Sequence, residues 1–133
     1  MVMTLWKRAW RFGIAPLLTT EGLAALRQAL ERDDPRLVQG STTEPIPVPL
    51  FADDAVEGAC AVAFSLWQSG NLDRVGALHR AFRALCASAD DLLGEPLATV
   101  AFLNWFDETP RSQMRSELLA EIDLLTREPR RAA

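Results

Sequence analysis

Imidazole and thiol side chains, which can ligate a metal or act as base or nucleophile, are few in this sequence: one histidine, His79, and two cysteines, Cys60 and Cys86. Read as helix, the chain around residue 80 puts His79 one turn after Val75 and two turns before Cys86, at the edge of an apolar stripe. With Cys60 these residues make at most three metal ligands. Zinc sites draw on closely spaced ligand pairs, and this chain has none. The reading is therefore no metal, with His79 an ordinary boundary histidine. Spacing alone does not make a Cys–His nucleophile either. No catalytic residue and no cofactor is assigned.

Carboxylates come in four doublets, Asp33-Asp34, Asp53-Asp54, Asp90-Asp91 and Asp107-Glu108. Paired carboxylates can hold a divalent cation or exchange protons. Each doublet falls at or near an expected helix end, and neighbours on a helix point apart, so capping is the favoured role. Gln39-Gly40-Ser41-Thr42-Thr43 offers backbone N–H groups to an anion but lacks the Gly-Lys-Ser/Thr element of a phosphate loop. Asn104 is the one strongly polar residue within 96–106. Buried, it would anchor the backbone of a neighbouring segment, or line a ligand pocket with Trp67 and Trp105. The tight Asp107–Pro110 connection admits a helix-turn-helix, with Arg111, Ser112, Gln113 and Arg115 facing bases. Residues 96–128 hold six acids and three arginines, a balance unfavourable to DNA.

The sharpest functional lead is residues 1–12. Trp6, Trp10 and Phe12 share this segment with Lys7, Arg8 and Arg11, and no acid accompanies them. Such an element docks on a partner protein or a second subunit, rests on a membrane surface, or completes its own core. Gly13 and Pro16 supply a bend that folds it back, which favours the core or a subunit contact over a membrane.

Composition bounds the alternatives. The chain has 133 residues, 49% apolar and 24% charged, with a net charge of −4. One domain with one sizeable core fits that length. The three bases of residues 1–12 leave −7 on the rest, which argues against nucleic acid. Two cysteines are too few for a disulfide framework, so a cytoplasmic location is expected. The longest uncharged stretch, 58–72, is too short and too polar to cross a bilayer. No signal peptide is read at the start, because Gly13 and Pro16 interrupt the apolar run.

Periodicity predicts the elements that would position these groups. A first helix spans Val2–Phe12 and ends at Gly13. A second begins at Thr19 or Thr20, buries Leu23, Leu26 and Leu30, and ends at Asp33-Asp34-Pro35. Residues 36–52 read as an irregular connection in which Pro45, Pro47 and Pro49 impose an extended course, pinned by Ile46, Val48, Leu50 and Phe51. Asp54 and Glu57 resemble a capping box opening a third helix that ends at Gly70. A fourth runs from an Asn71 cap to Leu93 with a stripe of Val75, Leu78, Phe82, Leu85, Ala89 and Leu92. A fifth opens at Pro96, apolar nearly all round and so central. A sixth opens at Thr109-Pro110, buries Met114, Leu118, Ile122 and Leu125, and pairs Asp123 with Arg127. Residues 129–133 read as a frayed tail.

The architecture expected is all-α: a compact bundle or array of five to six helices in a single domain, with a proline-rich extended connection. The leading functional expectation is a non-enzymatic protein–protein interaction module, an adaptor or an oligomeric component of a larger assembly. Trp6, Lys7, Arg8, Trp10 and Arg11 are its candidate docking residues. A small-molecule-binding protein using Trp67, Asn104 and Trp105 is the alternative. A helix-turn-helix DNA binder and a peripheral membrane protein rank below these.

Overall fold

A computed structural model describes residues 3–127. Among the described residues six α-helices follow in order: α1 (Leu5–Ala9), α2 (Thr20–Arg32), α3 (Ala61–Ser69), α4 (Val75–Leu93), α5 (Val100–Glu108) and α6 (Arg111–Arg127). One two-residue antiparallel pair joins β1 (Thr43–Glu44) to β2 (Gly58–Ala59), Thr43 facing Ala59. The fold is the expected all-α array. Val2 and the tail at 129–133 lie outside the described residues.

The N-terminal run does not stop at Gly13. From α1 it passes into a π-helical turn, Trp10–Ile14, and a 3-10 turn, Ala15–Leu17. Gly13 serves close approach instead. A Cβ there would lie 2.6 Å from Leu93 Cδ1 and 3.3 Å from the Ala89 carbonyl, so glycine lets this run press against α4. Trp10 and Ile14 are fully buried and Trp6 nearly so. Helix α2 starts as expected, with Thr19 Oγ1 accepting the Gly22 N–H at 3.0 Å. It ends at Asp33, which takes the left-handed conformation (φ 51°).

The connection after α2 departs most from expectation. Its anchors are Leu37 and Thr43, both buried, rather than Ile46, Val48 and Leu50, which are exposed. Backbone pairing explains this. Val38 N–H donates to the Ala59 carbonyl, Ala59 N–H to Arg36, and Cys60 N–H to Thr42. The proline strip closes on itself through Val48 N–H to the Ile46 carbonyl, so its apolar side chains turn outward. Only Phe51 of the four expected anchors is half-buried.

That pairing also overrides the capping box at Asp54–Glu57. Glu57 N–H donates to the Glu44 carbonyl and Val56 N–H to Asp73, so the segment is extended and α3 begins only after Cys60. Asn71 caps nothing. The leading N–H groups of α4, on Val75 and Gly76, donate to the Asp54 and Ala52 carbonyls at 3.0 and 2.9 Å. Gly70 is extended, whereas Gly94 closes α4 in the left-handed region (φ 76°). The α4 stripe buries Leu93 in place of Leu92. Residues 96–99 form a turn held by the Asp90 carboxylate, which accepts Leu97 N–H, Thr99 N–H and Thr99 Oγ1–H within 3.1 Å. Helix α5 therefore starts late. It is not central: only Phe102 and Phe106 are buried, and Asn104 is exposed.

Helix α2 packs on α3 and α6, α3 on α4, and α1 on α5. The core runs through Trp10, Leu26, Leu30, Phe64, Leu78, Phe102, Phe106, Met114, Leu118 and Ile122, each essentially without exposed surface.

Candidate docking groove

Helices α2 and α6 lie antiparallel. At the α2 C-terminus Arg115 donates to the Leu30 and Glu31 carbonyls and Arg111 to the Asp34 carbonyl, filling acceptors that a helix end leaves open. Arg111 also donates to Asp33 Oδ1 at 2.6 Å, which holds that carboxyl below the usual aspartate range despite the opposing effect of burial. Midway, Arg27 Nη2 meets Asp123 at 2.9 Å, and Arg27 Nε lies 3.1 Å from Glu31. Asp123 thus pairs across to α2, while the side chain of Arg127, its expected partner, lies outside what the structure describes.

Beyond these contacts the helices part. Leu26, Ala29 and Leu30 point into the core, and α2 turns the smaller Thr20 and Ala24 toward α6. Across from them stand Ile122, Leu125 and Thr126. The result is a cavity of about 410 Å³ with Leu23, Ile122 and Leu125 as apolar surface and Arg27 at its edge. Its size falls within the range of about 300–1,000 Å³ typical of ligand pockets. Its lining offers apolar surface beside the Arg27 guanidinium and the hydroxyls of Thr20 and Thr126.

The residues singled out from sequence sit elsewhere. Trp6 stacks on Trp105 at 3.6 Å between ring centroids, and Trp10 stacks on Phe102 at 5.2 Å. Both tryptophans therefore complete this chain's own core, which removes them as docking side chains. Arg11 is committed inward, its Nε and Nη2 donating to the buried Glu121 carboxylate at 2.6 and 2.8 Å. Arg8 donates to the Leu93 carbonyl at 3.1 Å and lies 4.0 Å from Glu95. Lys7 sits over the Trp6 ring.

The pocket expected from Trp67, Asn104 and Trp105 is not assembled. Trp67 packs edge-on against Phe64 beneath Arg36, Trp105 covers Trp6, and Asn104 faces solvent. The amide that does reach across is Gln39, whose Nε2 donates to the Phe106 and Thr109 carbonyls at the end of α5. Gly40 N–H donates to the Asp107 carboxylate, so the loop considered as an anion cradle already holds one of this chain's own. Arg111 and Arg115, the base-facing candidates of a helix-turn-helix, are engaged with the end of α2.

His79 is half-buried beside Phe82, with a pKa lowered by burial and then by Arg83. Burial pushes the Cys60 thiol up to about 12 and the Cys86 thiol to about 11. Both stay in the thiol form at neutral pH. Among the described residues no cluster of three His, Cys, Asp or Glu forms, and no described helix is long and apolar enough to cross a membrane.

The groove escaped sequence reading because its residues obey the helical stripe that marks core. Leu23 and Leu125 lie on the buried side of their helices by spacing. Only the small partners Thr20 and Ala24 hinted that the two stripes would not close.

Compared with known protein families, curated proteins and solved structures, the chain matches none.

Proposed function

We propose that the protein is a non-enzymatic interaction module that receives an apolar segment of a protein partner in the groove between α2 and α6. The observation that carries this reading is the unfilled space of about 410 Å³ between two helices fixed at one end by Arg111 and Arg115. A preformed groove binds without first ordering its walls, which lowers the entropy lost on association. An amphipathic helix laid along two helices is a common way of filling such a site.

A second reading rests on the cavity's size, which also suits a small hydrophobic molecule. Site-specific photo-crosslinking separates the two. A benzophenone side chain at Thr20 should form a discrete protein adduct in the native host. The same group at Arg80, exposed on α4 and lining neither the groove nor the smaller pocket between α2 and α3, should form none. Filling the groove with Ala24→Trp should abolish the adduct. Adducts formed equally from both positions, or untouched by Ala24→Trp, overturn the protein reading. A hydrophobic small molecule would leave no protein adduct.

A further inference from the structure

A second, smaller pocket opens on the other face of α2, and its chemistry differs from that of the groove. It measures about 70 Å³ and lies between α2 and α3. Gln28, Arg32, Asp34, Arg36 and Gln68 supply its polar lining, with Phe64 at one wall.

Arg36 is fixed there. Its Nε and Nη2 donate to the Asp34 carboxylate at 3.2 and 2.8 Å, and its guanidinium carbon lies 5.7 Å from the Phe64 ring and 5.6 Å from the Trp67 ring. Those bonds leave its Nη1 edge unused. Arg32, Gln28 and Gln68 make no hydrogen bond or ion pair among the described residues. The acids at this end of α2 pair with other arginines: Glu31 with Arg27, which also meets Asp123, Asp34 with Arg36, and Asp33 with Arg111 and Arg115. Arg32 forms no ion pair of its own among the described residues, although its charge reaches the Asp34 carboxylate across the pocket.

A guanidinium edge and two amide N–H donors around a space this small suit a planar anion that accepts several hydrogen bonds at once. We propose that this pocket is a carboxylate-binding site, in which Arg32 and the Nη1 edge of Arg36 hold the anion and Gln28 and Gln68 donate to it. The site does not depend on the groove, and neither reading falls with the other.

The test is an NMR titration of the full chain with acetate, ionic strength held constant with chloride. The expected result is a saturable response of the Gln28 and Gln68 side-chain amides and the Arg32 and Arg36 Nε–H signals. Arg32→Gln should weaken it about tenfold, the loss expected for a charged hydrogen-bond partner. Arg32→Lys should keep part of it, and a Gln68→Leu variant gives a second, independent loss. A capped peptide with one glutamate identifies the source. Binding of peptide and acetate alike marks a protein-borne carboxylate, and acetate alone marks a free one. A last-turn arginine also offsets the helix dipole. That role alone predicts a lower melting temperature for Arg32→Gln with no acetate response, and this result would overturn the proposal. So would a response that chloride reproduces, or one that Arg32→Gln leaves intact.

Discussion

Arg11 and Glu121 tie the N-terminal helical run to α6 through two short charge-assisted hydrogen bonds. The Glu121 side chain keeps only 4% of its surface, against 32% for Arg11. Removing the arginine strands a carboxylate away from water. Arg11→Met should therefore lower stability by about 3 kcal/mol in urea unfolding. A loss of about 1 kcal/mol or less would place the pair among ordinary surface ion pairs. Titration gives a second residue-scale prediction, with opposite signs at the two ends of the pH range. His79 has a lowered pKa, so the unfolded chain takes up a proton that the folded one resists. Its contribution is present above the ordinary histidine value and is lost as pH falls through the folded value. His79→Gln should flatten that acid limb in unfolding measured against pH. Cys60 and Cys86 have raised values, so their contribution is full below about 9 and is lost as pH rises toward about 11 and 12. Native protein should react with a thiol reagent far more slowly than urea-unfolded protein, Cys60 slowest of all. Equal rates would mean that the thiols are not covered.

At the scale of elements, close approach outweighs propensity. In an isolated helix Gly22→Ala would gain about 1 kcal/mol. Here the new Cβ would come 2.3 Å from Ser65 Oγ and 2.8 Å from the Ser65 carbonyl, where α2 meets α3. Overpacking against backbone should win, so the variant should lose about 1–3 kcal/mol, read from its thermal melt. A gain in stability would show that the two helices can part there. The same contest decided which elements were legible in the sequence. Helices α2 and α6 were readable because threonine caps, proline and the leucine spacing agreed with one another. The start of α3 was not: Asp54 and Glu57 carry a helix signal, but Arg36, Thr42, Glu44 and Asp73 offer carbonyls to that segment from positions far along the chain. Gly13 misled for a related reason. Its local meaning is a helix stop, and its actual setting is a neighbour, Leu93, that only tertiary packing brings near. Of the two pockets, nothing was legible beyond the helices that wall them, because each depends on the gap between stripes rather than on either stripe.

At the scale of the molecule, the N-terminal tryptophans and the groove exchange roles relative to the sequence reading. The segment that looked most like a docking helix closes this chain's core, and the stripe that looked most like core leaves a gap. The proposed binding requires that the groove be formed before a partner arrives. Arg111 and Arg115 clamp the C-terminus of α2, and Arg27 bridges to Asp123, so charged contacts tie the two helices together at one end and midway along the pair. The most direct measurement is fluorescence titration with the neutral hydrophobic probe N-phenylnaphthylamine, on the native chain and on Ala24→Trp. A preformed α2–α6 groove predicts a saturable single-site enhancement with the native chain, lost in Ala24→Trp at an unchanged melting temperature. No enhancement with the native chain, or one that survives the tryptophan plug, would contradict it.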